Sequence, residues 1–192
     1  KTIPITNLIL AGVAVSSFAT ALTSFLMINA SGEMRRAIVW LLGGSTMAGW
    51  KPLLAQLPYT LCGLGILLLM SYRLNVLQFG EEQAAQLGVN VKRSQIWVIL
   101  GASLATASAV AFTGIIGFVG LVVPHILRNL WGGNMRLLLP LSLAGGAIFL
   151  LIADTLARVL MAPQELPVGI ITALCGAPFF LFILHHTKKD MW

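Results

Sequence analysis

The stretch from Ser94 to Leu127, SQIWVILGASLATASAVAFTGIIGFVGLVVPHIL, decides the fold class, because it carries no formal charge over 34 residues. A helix rises about 1.5 Å per residue, so a single helix of this length would extend about 51 Å. The hydrocarbon core of a bilayer is about 30 Å thick and needs about 20 apolar residues to cross. Three glycines interrupt the stretch between positions 114 and 120. We therefore predict two transmembrane helices, at 95–113 and 116–131, joined by a tight reversal that contains glycine.

The remainder of the chain has the same apolar character. Of its 192 residues, 58% are hydrophobic and 9% are charged, and the mean hydropathy is +0.92. A typical soluble domain is about 25% charged. This composition excludes a soluble globular domain and a disordered chain, because neither could keep so much apolar surface from aggregating. Further apolar runs predict crossings at 8–28, 53–72, 137–153 and 166–184.

The distribution of basic residues orients the predicted crossings. With six crossings, eight of the 12 Lys and Arg residues fall on the side that holds both termini, and four fall on the other side. With five crossings the division would be five against seven. The positive-inside rule therefore favours an all-α bundle of six transmembrane helices with both ends in the cytoplasm. The net charge of +6 is spread thinly, without the basic stripe of a nucleic-acid-binding protein.

Small and aromatic residues predict how the helices pack and where they meet the interface. Gly101, Ala105, Ala109 and Thr113 recur every four residues, which places them on one helix face where a neighbouring backbone can approach closely. The segment 31–51 is too short to cross, and its tryptophans predict a shallow helix at the outer interface.

The longest polar connection, 73–94, holds five of the 18 charged residues. Within it, GEEQAAQLG at 80–88 predicts a short helix. Glu81 and Glu82 stand at its start, where the helix dipole favours acids, and Gly88 stands where a left-handed residue ends a helix. Such a short helix is not stable alone in water, and its acids are repelled by an anionic leaflet. A protein partner on the cytoplasmic side is the better interpretation.

The sequence contains none of the common catalytic or metal-binding patterns, such as HExxH, a Walker A motif or a dinucleotide fingerprint. Asp154 and His125 approach membrane depth. Asp154 can pair locally with Arg158 or serve a substrate or partner, and His125 can be structural or a ligand. An ion-coupled carrier or channel would need a charged residue at mid-membrane, and none is evident in this sequence. An intramembrane serine protease would need a pair such as Ser103 with His125.

The run FVGLVVPHILR at 118–128 resembles the signature of the FecCD family, the permeases of type II ABC importers for vitamin B12, iron-siderophores and haem. The residues that carry this signature are Gly117, Gly120, Pro124, His125 and Arg128. Four more stretches resemble the family in order, at 10–14, 80–89, 153–158 and 165–180. Family permeases have ten spanning helices, and this chain resembles helices five to ten. We expect one permease domain over 1–192, with the first four helices lying outside it.

The resemblance implies a non-enzymatic transport subunit that holds no cofactor or metal, since ATP and Mg²⁺ bind to partner subunits. The expected partners are a second permease unit (a homodimer or a fused half), two cytoplasmic ATPase subunits and an extracellular or periplasmic binding protein. The expected location is a bacterial inner membrane, with the C-terminus in the cytoplasm. Iron-siderophore is the expected substrate class, with B12, haem and molybdate left open.

The resemblance also assigns roles to individual residues. Arg158 is expected to dock the binding protein, and Ile5, Thr6 and Asn7 are expected to form a cytoplasmic gate. The expected contact with the ATPase consists of Leu77, Gly80, Glu81, Glu82, Ala84, Ala85, Leu87 and Gly88.

Overall fold

The computed structural model describes residues 5–29, 34–44, 49–160 and 166–187, and all of its regular structure there is helical. The eight helices are α1 (Ile5–Asn29), α2 (Met34–Leu41), α3 (Trp50–Leu77), α4 (Glu81–Gln86), α5 (Val91–Thr113), α6 (Val119–Trp131), α7 (Met135–Val159) and α8 (Val168–Thr187).

Helix lengths confirm the predicted all-α membrane bundle. Four helices are long and apolar enough to cross a bilayer, namely α3, α5, α7 and the Ile9–Ile28 part of α1. Helix α8 has 20 residues and matches the last predicted crossing. Helix α6 has 13 residues and so extends only about 20 Å, less than the bilayer core. The apolar residues 114–118 that precede it form a connection, so α6 begins three residues later than predicted.

Helix α1 belongs to a compact unit of its own, Lys1–Ile38, and the second unit comprises Val39–Trp192. The side chains of α1 are exposed along most of its length, as Phe18 is at 73%. Two of its hydroxyl groups are satisfied within the helix, since Thr20 and Thr23 each donate to the carbonyl four residues earlier at 2.8 Å. A helix with no unsatisfied polar side chain at these positions suits an apolar environment.

The helices of the second unit run up and down between two ends. Helix α7 packs against α3, α6 and α8, and α3 packs along α5. At one end, Asn75 in the last turn of α3 donates to Asn134, the N-cap of α7, at 2.9 Å. We call this the α4 end. At the opposite end, the amide of Ile115 after α5 donates to the carbonyl of Trp40 at 3.3 Å. We call this the junction end.

The pairing of α3 with α5 depends on two glycines. A β-carbon on Gly63 would lie 2.7 Å from the Gly101 carbonyl oxygen, and one on Gly101 would lie 2.9 Å from Ile66. The hydroxyls of Thr60 and Ser108 bond across the same interface at 2.8 Å. Apolar lipid gives two helices no hydrophobic drive to associate, so close backbone approach and this hydrogen bond stabilise the pair. The packing face predicted from Gly101 and Ala105 is confirmed.

Candidate functional site

The predicted acidic helix exists at the α4 end, and glycines define both of its limits. Gly80 is the N-cap with φ of 101°, and Gly88 has φ of 79°, so both adopt backbone conformations that favour glycine. After the helix, the amide of Gly88 donates to Ala85 and that of Val89 donates to Ala84, each at 3.0 Å. These bonds satisfy the last carbonyls and end the helix at the predicted position.

One face of α4 is seated on the bundle and another is exposed. Ala84 is completely buried, and the Glu81 carboxylate accepts a 2.8 Å hydrogen bond from Gln95 Nε2 on α5. In contrast, Phe79 and Leu87 are 68% and 67% exposed. The structure therefore fixes how α4 sits on its own chain and leaves two large apolar side chains beside it uncovered. Of the other predicted contact residues, Leu77 is half-buried and ends α3, and Gly80, Glu82, Ala85 and Gly88 are exposed.

Arg158 lies in the last turn of α7, at the junction end. Its Nε donates to Asp154 Oδ2 at 2.8 Å and its Nη2 donates to Oδ1 at 3.3 Å, so the local pair expected from their spacing is present. The two side chains are 57% and 40% exposed. Both residues line a cleft of about 380 Å³, with Thr113, Ile116 and Pro167 among the other lining residues. An exposed pair of this kind contributes little to stability. The docking role of Arg158 stays a prediction.

The residues of the α6 signature shape the helix and its packing. Gly117 accepts from the amide of Val119 at 2.9 Å just before α6, and the Arg128 carbonyl accepts from Gly132 at 2.9 Å just after it. Gly120 and Pro124 line a small apolar cleft against α3 and α7. The ring of His125 meets Phe179 edge-on, with centroids 6.5 Å apart. This geometry favours the structural interpretation of His125.

The predicted gate residues begin α1. Ile5 is the first residue of the helix, and Thr6 and Asn7 are exposed. They lie in the compact unit Lys1–Ile38. Their gating role stays a prediction.

The junction end joins three segments through glycines whose role the sequence pattern did not reveal. A β-carbon on Gly43 would collide with the Ile115 carbonyl, one on Gly114 with the Trp40 carbonyl, and one on Gly169 with the Leu42 carbonyl. The Gly169 amide donates to the Gly43 carbonyl at 3.1 Å. In the sequence these are three separate glycines, one after α2, one after α5 and one in α8. Only the fold brings them together.

A comparison with known families identifies the chain. The FecCD transport family model matches residues 1–186. The chain belongs to the FecCD family. The FecCD resemblance drawn from the sequence motifs is thus confirmed, and with it the multi-pass membrane location. The chain is similar, at 48% identity over 181 residues, to the cobalamin import system permease protein BtuC of Halobacterium salinarum, covering 94% of this chain and 48% of that protein.

Two further proteins resemble this FecCD chain. The hemin transport system permease protein HmuU of Yersinia pestis is 42% identical over 187 residues, covering 96% of this chain and 55% of HmuU. A solved structure assigned to the metal-chelate type of ABC transporters, in an inward-facing conformation, is 37% identical with a TM-score of 0.84. The match covers 93% of this chain and 60% of that one. The FecCD chain therefore spans about half the length of the curated relatives it matches.

Proposed function

We propose that this chain is part of the membrane-spanning permease of an ATP-driven importer, and that it carries an iron chelate. Membership of the FecCD family supports the transport role. Its relatives are named for cobalamin and hemin, and the matched structure is assigned to metal chelates, so the transported compounds share a metal held in an organic ligand. Cobalamin and haem are the alternatives within this class.

The observation that carries the proposal is that helix α4 is packed on the bundle by one face and exposed on another. Ala84 and the Glu81–Gln95 bond fix the helix to α5, and Phe79 and Leu87 are left exposed beside it. A partner that pushes on a firmly seated helix can move the bundle, whereas a loosely attached helix would absorb the motion. This arrangement suits the docking of a cytoplasmic ATPase, which would carry ATP, Mg²⁺ and all of the covalent chemistry.

The other proposed partners follow from the same role. A second permease unit would complete the pathway, and an extracellular or periplasmic binding protein would dock at the junction end through Arg158. The α4 end would then face the cytoplasm of a bacterial cell, with the C-terminus on the same side.

The two alternative functions receive less support from the geometry. An ion-coupled carrier normally holds an ionisable group at mid-membrane, but Asp154 is in the last two turns of α7, paired with Arg158. An intramembrane serine protease would need a serine hydroxyl that is hydrogen-bonded to His125. Among the described residues, Ser103 makes no hydrogen bond to His125, whose ring lies against Phe179.

The proposal is tested by reconstituting the complete transporter, with its ATPase and binding protein, in vesicles. We expect uptake of a radiolabelled ferric siderophore that depends on ATP and stops when the ATPase is replaced by a variant that cannot hydrolyse ATP. Cobalamin and haem are assayed in parallel to identify the substrate. Uptake driven by an ion gradient without ATP would overturn the proposal in favour of a carrier.

A further inference from the structure

A polar network at the α4 end joins the end of α3 to the start of α7. Asn75 Nδ2 donates to Asn134 Oδ1 at 2.9 Å, and Asn75 Oδ1 accepts from the Met135 amide at 2.6 Å. Gln78 Nε2 donates to the Gly133 carbonyl at 3.1 Å and lies 3.4 Å from Asn75 Oδ1. We call Asn75, Gln78 and Asn134 the amide clamp. Its bonds join residues 55 to 60 positions apart in the chain.

The clamp completes the N-terminus of α7. Asn134 caps the helix by accepting from the Arg136 amide at 3.1 Å, and Asn75 takes the Met135 amide. The first amides of a helix have no partner within it, so the first bond caps the helix and the second anchors its end to α3. Beside the clamp, the Arg136 guanidinium lies 5.1 Å from the centre of the Tyr72 ring on α3, which adds a second attachment between the same two helices.

The clamp also lies at the root of α4. Gln78 is the C-cap of α3 and precedes Gly80, the N-cap of α4, by two residues. On the α3 side, a displacement of α4 is therefore transmitted through the residue that donates to Gly133. Helix α7 runs from Met135 to Val159, with Pro140 in its second turn, and carries the Asp154–Arg158 pair near its far end. Its 25 residues extend about 37 Å, the full distance between the α4 end and the junction end.

We infer that the amide clamp transmits the movement of α4 to α7, so that events at the ATPase surface and at Arg158 are coupled along one helix. Asn75, Gln78 and Asn134 act as positioning residues, without touching ATP, substrate or either partner. The inference rests on the proposed function. A quantity that depends on both ends of α7 at once tests this coupling.

That quantity is the stimulation of ATP hydrolysis by the binding protein, measured on the complete transporter in nanodiscs. The variants are Asn75→Leu, Gln78→Ala and Asn134→Ser. Serine can still accept an amide hydrogen bond as an N-cap, but it is too short to reach Asn75. We expect basal hydrolysis within about twofold of the native rate and stimulation reduced at least about fivefold, because only the link between the ends is lost.

The matched control is Thr60→Val, which removes a 2.8 Å bond between α3 and α5 away from the root of α4. It should leave stimulation unchanged, and the thermal midpoints of all variants are measured beside the rates. A clamp variant that lowers the midpoint no more than Thr60→Val but abolishes stimulation supports the inference. Native stimulation in both Asn75→Leu and Asn134→Ser overturns it, and so does an equal loss in Thr60→Val.

If Asn75→Leu fails to assemble, Gln78→Ala decides, since it removes only the side-chain bonds of an exposed residue. Failure of the proposed function would be distinct, because the native transporter would then show no ATP-driven uptake or no stimulation at all.

Discussion

Phe118 and Gly176 are in direct contact, and each has the backbone that this contact requires. Phe118 has φ of 66°, in the left-handed region that residues other than glycine rarely adopt. A β-carbon on Gly176 would overlap the β-carbon of Phe118. The start of α6 is therefore held against α8 by a strained residue on one side and a missing side chain on the other.

Replacing Gly176 with alanine should destabilise the protein by about 1–3 kcal/mol, because the added methyl group has no space and Phe118 cannot retreat. The thermal midpoint of the purified transporter measures the effect. The control is Gly65→Ala in α3, where no atom lies within 4 Å of the new carbon. That change should be neutral or slightly stabilising, and an equal loss in both variants would contradict the explanation from crowding.

Gly114→Ala should lower the thermal midpoint more than Gly132→Ala. Both glycines follow a helix with nearly the same backbone, φ of 73° and 83° and ψ of −170° and −177°, so alanine is strained at either by about 1–3 kcal/mol. Only at Gly114 does the new carbon also collide with the Trp40 carbonyl. The difference between the two variants measures the crowding at the junction end. Equal midpoints would show that conformation alone matters.

Arg158→Glu should abolish stable docking of the binding protein while the membrane complex still assembles and hydrolyses ATP. Reversing a charge places like charges opposite each other, which costs several kcal/mol across an interface. Asp154→Asn is the matched control, since it removes the local pair and keeps the arginine. Pull-down at physiological salt should detect binding only in the control. Equal docking by both variants would leave Arg158 as a helix-end partner of Asp154.

Glu81→Lys combined with Glu82→Lys should weaken ATPase binding and uptake, with the protein still inserted in the membrane. Charge changes at an interface act mainly on association. Since Glu81 also accepts from Gln95, a Gln95→Ala variant separates the loss of that bond from the loss of the acidic surface. Co-purification of the ATPase is the measurement. Unchanged co-purification and transport in the double variant would remove α4 from the coupling contact.

Thr6→Trp should block uptake without preventing assembly if Thr6 lines the gate, because an indole fills a constriction that a hydroxyethyl group leaves open. Thr20→Trp, at another exposed position of α1, is the control and should transport normally. Substrate uptake into vesicles is measured for both variants. Normal uptake by Thr6→Trp would place the gate elsewhere.

Local patterns were sufficient to predict most of the fold. Charge-free runs located the long helices, the acids and glycines around 81–88 located α4, and the small residues at 101 and 105 marked the face that meets α3. The predicted start of α6 was wrong by three residues, because an apolar connection and an apolar helix have the same composition. The left-handed Phe118 was also missed, because its contact with Gly176 joins two segments that are far apart in the chain.

The site was predicted only where its residues are neighbours in sequence. The Asp154–Arg158 pair has the spacing of one helical turn and was visible. The amide clamp and the three junction glycines join segments far apart in the chain, and asparagine, glutamine and glycine are common in any loop. Nothing in their immediate surroundings distinguishes them, so only the packed helices show which of them meet.

The shortness of α6 has a consequence for how the protein is made. A 13-residue helix cannot hold its position across a bilayer by itself, and residues 114–118 ahead of it have peptide groups that are not in a helix. One of those groups, the Ile115 amide, finds its acceptor on Trp40, which is synthesised more than seventy residues earlier. During synthesis that amide therefore gains its native acceptor only when the segment after α5 has met the end of α2, which was made long before it.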